Sequence, residues 1–255
     1  MAEFTFEAAG LGISFGGLKA VSGFGLKIHP EGLCGLIGPN GAGKTTVFNL
    51  MTGVYKPDQG TMTLGGQSLI GFAPYEIAKA GIARTFQNIR LMGDLSVLDN
   101  VLLSYHFREP YRYIDAILHT SRFQKNEAEL KDRAVELLEL MGLANRKDDQ
   151  AKNLSYGNQR RLEIARALAL RPKLLLLDEP AAGLNSKEKV DLMHTVSDIR
   201  DRFKVAILLI EHDMKLVMGI CERITVLDHG EIIAEGTAKE IQENPKVIEA
   251  YLGVE

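Results

Sequence analysis

The chain has 255 residues, of which 45% are apolar and 25% charged, and it carries a formal net charge of −3. These values are ordinary for a globular protein, and the length fits one large domain or two small ones. A slightly acidic chain lacks the basic surface with which proteins bind nucleic acids or anionic membranes, so we expect no nucleic-acid partner.

The apolar runs, the N-terminus and the cysteines indicate whether the chain crosses a membrane or is secreted, and whether its thiols stay reduced. The runs LLLL at 174–177 and VAILLI at 205–210 suit buried strands and are far too short to span a bilayer. The N-terminal MAEFTFEAAG lacks the basic-then-apolar character of a signal peptide. Cys34 and Cys221 both lie in apolar segments, so a disulfide stays open, but two buried thiols in a reducing cytosol are favoured. Any link to a membrane is then expected to come through a partner.

The first two thirds of the chain change from predicted strands to predicted helices. The segments FTFEAAGLGISF, GFGLKI, GLCGLI and GTMTLGGQSL are β-rich and separated by glycines, as in hairpins and meanders. Helices are predicted from Ser96 and over 127–141, where Gly142 ends the second one.

The last third alternates between helices and strands. Helices are predicted at about 156–170, 186–202 and 213–219, and strands at 173–178, 205–210 and 223–228. Such alternation implies parallel strands joined by crossover helices. We therefore predict an α/β fold with a mainly parallel sheet core and an antiparallel β subdomain near the N-terminus. A helical subdomain at about 90–165 is expected to be inserted in a single domain, 1–255.

A glycine-rich stretch, GPNGAGKTT at 38–46, follows a predicted strand and opens a predicted helix, and it fits the pattern G-x-x-x-x-G-K-[ST]. Its backbone N–H groups can close around phosphate oxygens, and the helix N-terminus adds its dipole. We expect Lys44 to reach the β- and γ-phosphates, Thr45 to bind Mg²⁺, and Thr46 to add a donor near the α-phosphate. The fold is thus predicted to be that of a P-loop NTPase. The predicted nucleotide-binding residues of this loop are Gly38, Pro39, Asn40, Gly41, Ala42, Gly43, Lys44, Thr45 and Thr46.

Polar residues follow three predicted strands. Asp178 and Glu179 end the strand 173–178, at the carboxyl edge where open α/β sheets bind their ligands. Asp178 is predicted to hold Mg²⁺, directly or through water, and Glu179 to polarise the attacking water. His212 follows the strand 205–210 and is predicted to contact the γ-phosphate or to position the water. Gln87, in ARTFQ, is predicted to serve both the Mg²⁺ site and a partner surface.

Three features leave alternatives open. Phe15 is a candidate for stacking on adenine, but a buried strand aromatic is an equally good interpretation. In LSYGN at 154–158, Ser155 either caps the following helix or, with Gly157, forms part of a phosphate site. The segment 107–126 interleaves aromatic residues with arginines, and it either covers the helical subdomain or docks a membrane subunit.

Taken together and in this order, the motifs resemble those of the ATP-binding subunit of ABC transporters. GPNGAGKTT matches the Walker A loop, Gln87 the Q-loop glutamine, LSYGN the signature LSGGQ, LLLLDEP the Walker B strand, AAGLN the D-loop, and His212 the switch histidine. More narrowly, RRLEIARAL, IEHDMKLVMGI and NPKVIEAYLG are similar to the larger ATPase subunit of bacterial branched-chain (hydrophobic) amino acid importers.

The resemblance implies an enzyme that hydrolyses ATP with Mg²⁺. Glu179 would be the general base and His212 the switch, and Gln87 would sense the γ-phosphate, bind the metal and couple to the membrane subunits. Ser155 and Gly157 would contact the γ-phosphate bound to another subunit. The implied dimer is head-to-tail, closed by ATP and reopened by hydrolysis.

The resemblance also implies partners and a location. The partners are a second ATP-binding subunit, either a sister ATPase or a copy of this chain, and two transmembrane permease subunits. A periplasmic or extracellular solute-binding protein is an indirect partner. The implied location is peripheral, on the cytoplasmic face of the inner membrane.

The sequence departs from the family pattern at three positions and leaves alternative functions open. Tyr156 replaces the first glycine of the signature, Asn158 its glutamine, and Asn185 the aspartate of the D-loop. The signature keeps its role where Tyr156 points away from the phosphate and the Gly157 backbone N–H makes the contact, whereas Asn185 bears on coupling between subunits through the D-loop. Alternatives are an ATPase for lipid or lipopolysaccharide export, and a soluble ABC ATPase outside transport. The stretch between Gln87 and the signature is short and lacks sustained heptads, which disfavours the soluble class.

Overall fold

The computed structural model describes residues 4–108, 117–118 and 120–252. The segment 107–126, predicted to cover the helical subdomain or to dock a membrane subunit, lies partly outside these ranges, at positions 109–116 and 119. The strands are β1 (Phe6–Phe15), β2 (Leu18–Ile28), β3 (Leu33–Ile37), β4 (Gln59–Leu64), β5 (Gln67–Ser68), β6 (Ile82–Arg84), β7 (Leu174–Asp178), β8 (Ala206–Ile210), β9 (Arg223–Asp228) and β10 (Glu231–Gly236). The helices are α1 (Lys44–Met51), α2 (Pro74–Ala80), α3 (Val97–Arg108), α4 (Ser121–Leu140), α5 (Tyr156–Ala169), α6 (Ser186–Phe203), α7 (Met214–Ile220), α8 (Ala238–Gln242) and α9 (Pro245–Leu252).

Two sheets form the framework. The larger has the strand order β10-β9-β3-β8-β7-β6, and its strands from β9 to β6 pair in parallel while β10 runs antiparallel to β9. The smaller is antiparallel, with the order β2-β1-β4-β5. This confirms the predicted α/β fold with a mainly parallel core and antiparallel strands near the N-terminus. The carboxyl ends of β3, β7 and β8 meet at one edge, where ligands of such sheets bind.

The three central strands β3, β7 and β8 are buried along their whole length. Alternate residues face opposite layers: Leu175 and Leu177 pack with the helices between β6 and β7, whereas Leu174 and Leu176 pack toward the antiparallel sheet. Strands covered on both faces read as continuous apolar runs, which explains LLLLD and AILLI. Each fully buried leucine contributes about 1.5–3 kcal/mol.

Helices α3, α4 and α5 lie between β6 and β7 and pack against one another. The buried face of α4 is formed by Leu130, Ala134, Leu137 and Leu138, which recur at helical spacing. This helix begins at Ser121, earlier than predicted, because the Thr120 hydroxyl accepts a hydrogen bond from the Phe123 N–H at 3.2 Å. The three helices occupy the range predicted for a helical subdomain, whose status as a separate unit stays a prediction. Across the described ranges, no helix combines the length and apolar character that a membrane crossing requires.

Cys34 and Cys221 are both buried and neither forms a disulfide. Cys34 packs in the apolar cluster on the side of the antiparallel sheet, and Cys221 in the cluster on the helical side. The prediction of two buried thiols is therefore confirmed.

Candidate site for ATP binding and hydrolysis

The phosphate loop connects β3 to α1 through residues 38–43. Two of its glycines are required by close approaches to other backbone. Gly38 has φ 153, and a Cβ there would lie 2.0 Å from the Leu227 carbonyl oxygen. Gly43 has φ 102, and a Cβ there would lie 2.8 Å from the Ala20 carbonyl oxygen. The loop thus holds its shape by fitting tightly between neighbouring strands.

Lys44 is the first residue of α1 and is buried. Its ammonium group donates to the carbonyl oxygens of Gly38 and Pro39, at 2.7 and 2.8 Å. Burial lowers the pKa of Lys44, while the nearby carboxylates of Glu179 and Asp178 raise it. These two carbonyls hold the charge at the centre of the loop, where phosphate oxygens of a nucleotide would meet it.

Glu179 follows β7 and lies between two predicted site residues. Its Oε2 accepts a hydrogen bond from Gln87 Nε2 at 3.0 Å, and its Oε1 lies 2.5 Å from His212 Nε2. The backbone of Glu179 is left-handed, with φ 48, which costs energy for a non-glycine residue and is typical of functional positions. The three residues come from different parts of the chain and meet because β7 and β8 end at the same edge.

A cavity of about 300 Å³ unites these groups. Its lining residues are Asn40, Gly41, Ala42, Gly43, Lys44, Thr45, Thr46, Gln87, Glu179 and His212. The structure therefore brings together most of the residues predicted from the sequence. Six predicted site residues are not among the lining residues, namely Phe15, Gly38, Pro39, Asp178, Ser155 and Gly157.

Asp178, the predicted Mg²⁺ ligand, forms a buried ion pair. Its Oδ2 lies 2.6 Å from Arg84 Nη2, and the two side chains are 4% and 7% exposed. Arg84 also donates to Asn49 Oδ1 at 2.7 Å, and its guanidinium carbon lies 5.3 Å from the ring centroid of Phe48 and 5.2 Å from that of Phe86. The other oxygen, Oδ1, takes no part in this pair, and a carboxylate has about four lone-pair sites, so Asp178 keeps capacity to bind a metal.

The donor set fits Mg²⁺, which prefers oxygen ligands and is usually held by one or two carboxylates together with substrate phosphates and water. The Thr45 hydroxyl, the second Asp178 oxygen and the Gln87 amide oxygen are donors of this kind. No three acidic, histidine or cysteine side chains cluster as a metal cage within residues 4–108, 117–118 and 120–252.

The signature segment lies at the N-terminus of α5. Ser155 occupies the N-cap position, with φ −59 and ψ 156, and its carbonyl accepts from the Gln159 N–H at 2.9 Å. Its hydroxyl makes no capping hydrogen bond, and the alternative, a phosphate site formed with Gly157, stays a prediction. A Cβ at Gly157 would lie 3.4 Å from both Glu188 Oε1 and Leu184 Cδ2. The serine hydroxyl and the first N–H groups of α5 thus remain available to an anion.

Phe15 ends β1, and its side chain is exposed rather than buried. Its ring meets Tyr55 edge to face, with centroids 5.2 Å apart. The interpretation as a buried strand aromatic is therefore wrong, and adenine stacking stays a prediction.

Three residues at or near the site were assigned no role from the sequence. Arg84 fixes Asp178, as described above. Arg160 is almost fully buried and donates to the carbonyls of Phe86, at 2.7 Å, and Gln87. It also pairs with Glu163 at 3.1 Å, and this spacing of three residues on one helix is a signal the sequence contained.

The third residue, Tyr251, lies on the C-terminal helix α9. Burial raises the pKa of the Tyr251 phenol, and a hydrogen bond from the Gly38 backbone N–H opposes this rise. Nothing in the spacing of Tyr251 relative to the phosphate loop signals this contact.

Two protein-family models match parts of this chain. The family model described as ABC transporter matches residues 21–182. The chain belongs to the ABC transporter family. A second model, described as branched-chain amino acid ATP-binding cassette transporter, matches residues 231–255. The resemblance found in the motifs is confirmed, and with it an enzyme that hydrolyses ATP and couples this reaction to transport.

This chain is similar over most or nearly all of its length to several relatives and to one solved structure. It is 47% identical over 253 residues, 99% of each chain, to the high-affinity branched-chain amino acid transport ATP-binding protein LivG of Escherichia coli K12. It is 44% identical, again over 99% of each chain, to the corresponding protein BraF of Pseudomonas aeruginosa. The lipopolysaccharide export system ATP-binding protein LptB of Acidithiobacillus ferridurans is more distant, at 35% identity over 86% of this chain and 84% of its own. The ADP conformation of MJ1267, an ATP-binding cassette of an ABC transporter, superimposes with a TM-score of 0.85 at 30% identity, covering 98% of this chain and 99% of that one.

Proposed function

We propose that this chain is the ATP-hydrolysing subunit of a bacterial importer for branched-chain amino acids. The observation that carries the hydrolytic role is the Glu179 carboxylate, held between Gln87 and His212 at the mouth of the phosphate loop. The solute class is supported by the match of residues 231–255 and by the similarity to LivG and BraF. The lower identity to LptB disfavours the alternative in lipopolysaccharide export.

In the proposed reaction the loop 38–46 binds the triphosphate through its backbone N–H groups and Lys44. Thr45, Asp178 and Gln87 would hold Mg²⁺, which neutralises developing charge on the phosphates. Glu179 accepts the proton of the attacking water. A carboxylate has about four lone-pair sites, so both oxygens keep capacity for water while they are held by Gln87 and His212. Phe15 would stack on the adenine, since its exposed ring ends β1.

Ser155 and Gly157 have no place in the cavity of their own chain. We therefore assign them to the nucleotide of a second ATP-binding subunit in a head-to-tail dimer, with the positive end of α5 facing the γ-phosphate. ATP closes this dimer and hydrolysis reopens it. The second subunit is a sister ATPase or another copy. Two permease subunits, fed by a solute-binding protein, place the complex at the cytoplasmic face of the inner membrane.

The nucleotide assignment is tested with Lys44→Ala. The lost contact is charge-assisted, so ATP affinity should fall at least several-fold. Lys125→Ala, which removes an exposed lysine from α4, is the matched control and should bind ATP as the original chain does. Unchanged ATP affinity of the Lys44 variant, measured by equilibrium binding, would contradict the assignment of the phosphate loop as the nucleotide site.

The solute assignment is tested by genetic complementation. In a strain that lacks this chain, uptake of labelled leucine, isoleucine and valine should be lost and should return with the chain but not with its Glu179→Gln variant. Lipopolysaccharide at the cell surface should be unaffected. Normal uptake together with a defect in lipopolysaccharide export would replace this proposal with the alternative.

A further inference from the structure

Tyr156, at the start of α5, packs against the D-loop of its own chain, residues 181–185. A Cβ at Gly183 would lie 2.9, 3.4 and 3.6 Å from the Cε1, Cζ and Cδ1 atoms of the Tyr156 ring. Gly183 has φ 77, and its lack of a side chain lets the ring approach its backbone.

The hydroxyl of Tyr156 is held by a buried arginine. Arg160 Nη2 donates to the Tyr156 oxygen at 3.0 Å, and the guanidinium carbon lies 5.4 Å from the ring centroid. The same guanidinium donates to the carbonyls of Phe86 and Gln87. Two side chains therefore connect the Q-loop backbone, the signature helix and the D-loop.

The D-loop is short and begins next to Glu179. The Ala182 N–H donates to the Glu179 carbonyl at 3.1 Å, and the Ala181 N–H donates to Glu211 Oε1 at 2.7 Å. Because so few bonds separate Gly183 from Glu179, a displacement of the D-loop reaches the backbone that presents the carboxylate.

We infer that Tyr156 is a positioning residue that sets the D-loop, and through it Glu179, for hydrolysis. It does so by ring contact with Gly183 while Arg160 fixes its hydroxyl. The inference rests on the proposed role of Glu179 as general base. It gives a role to the residue that departs from the signature pattern, where a glycine could make neither contact.

The first test separates the ring from the hydroxyl. Tyr156→Ala should lower kcat by at least about fivefold, the scale of coupling between contacting residues. ATP affinity should stay within about twofold, because the phosphate loop is untouched. Tyr156→Phe keeps the ring over Gly183 and should give an intermediate kcat. Tyr75→Ala, which removes an exposed tyrosine from α2, is the matched control and should leave both quantities unchanged.

The second test is a double-mutant cycle with Gly183→Ala. In the original chain this change adds a methyl group against the Tyr156 ring and also strains the left-handed backbone. In the Tyr156→Ala background only the backbone strain remains. The loss of kcat caused by Gly183→Ala should therefore be smaller there by at least about fivefold. Additive losses would overturn the contact as the source of the effect.

Thermal unfolding and nucleotide binding distinguish the outcomes. A merely structural role would lower the unfolding midpoint of Tyr156→Ala and leave kcat per folded molecule intact, which overturns the inference. A kcat loss with unchanged midpoint and ATP affinity supports it. If the unchanged chain hydrolyses no ATP in its assembled complex, that result contradicts the proposed function and not the role of Tyr156 alone.

Discussion

Replacement of Ser155 by alanine separates the two interpretations of the signature serine. The Ser155 hydroxyl makes no capping hydrogen bond, and the bond from the Gln159 N–H goes to the Ser155 backbone carbonyl, which alanine retains. The free energy of unfolding should therefore change by less than about 0.5 kcal/mol, as for surface substitutions. A serine that truly caps a helix loses about 1 kcal/mol on the same change.

Turnover should respond in the opposite way. If the hydroxyl donates to the γ-phosphate of a nucleotide on another subunit, the lost bond is one to a charged group and contributes about 1.5–3 kcal/mol. This corresponds to a fall of about 10- to 150-fold in kcat/KM for ATP. ATP binding at Lys44 of the same chain should be preserved, since the phosphate loop is unchanged.

Ser96→Ala is the matched control. The Ser96 hydroxyl accepts from the Asp99 N–H at 3.0 Å and donates to Asp99 Oδ2 at 2.7 Å, so it caps α3. Its replacement should cost about 1 kcal/mol of stability and leave turnover per folded molecule intact. Denaturant unfolding and steady-state hydrolysis, measured on both variants, give opposite patterns if the reasoning holds.

Mixed dimers decide whether Ser155 acts on its own chain or on its partner. When Ser155→Ala chains are mixed with Lys44→Ala chains, each mixed dimer has one intact site and one site with both defects. If the dimer pairs two copies of this chain, random pairing should restore about a quarter of the original rate. A sister ATPase would require the same experiment on the heterodimer. Equal stability loss in the Ser155 and Ser96 variants with normal turnover, or no recovery where mixed dimers are shown to form, would refute the reasoning.

Three further outcomes follow from single side chains. Glu179→Gln should bind ATP normally, accumulate as an ATP-bound dimer and hydrolyse very slowly, because an amide cannot take the proton of water; near-original turnover would place the base elsewhere. Asn185→Asp should leave stability within about 0.5 kcal/mol while Asn185→Ala costs about 1 kcal/mol, since only alanine loses the bond from the Glu188 N–H; urea unfolding measures both. Burial raises the pKa of Cys34 to about 11, so its thiolate fraction at pH 8 is about one in a thousand; mass spectrometry should find it alkylated by iodoacetamide only after denaturation, and rapid labelling of the native chain would contradict this.

The fold was predictable where burial imposes a simple pattern. Strands covered on both faces, such as β7 and β8, appear as uninterrupted apolar runs, and their predicted limits agree with the structure to within one residue. The edge strand β10 was not predicted, because its residues other than Gly236 are half-exposed or exposed and it pairs with β9 alone. The early start of α4 depends on one hydroxyl at Thr120, which apolar periodicity does not register.

The site was predictable where residues follow strands whose ends meet, as for Glu179 and His212. Contacts across long separations were not. The pairing of Arg84 with Asp178 joins residues far apart in the chain, and no local pattern announces it. Asn185, which replaces the aspartate of the D-loop, forms a reciprocal pair of hydrogen bonds with Glu188 and so caps α6, as an aspartate would. Only the structure shows this role.

The segment from Phe86 to Arg90 connects hydrolysis to the helices between β6 and β7. Helix α5 holds its backbone through three charged side chains: Glu163 accepts from the Phe86 N–H, Arg160 donates to two carbonyls, and Arg166 donates to the Arg90 carbonyl. The side chain of Gln87, in the middle of this segment, holds Glu179. A buried charge is costly to leave unpaired, so α5 and this segment are constrained to move together. Any partner that shifts α5 therefore also shifts Gln87 and with it the carboxylate that would activate water.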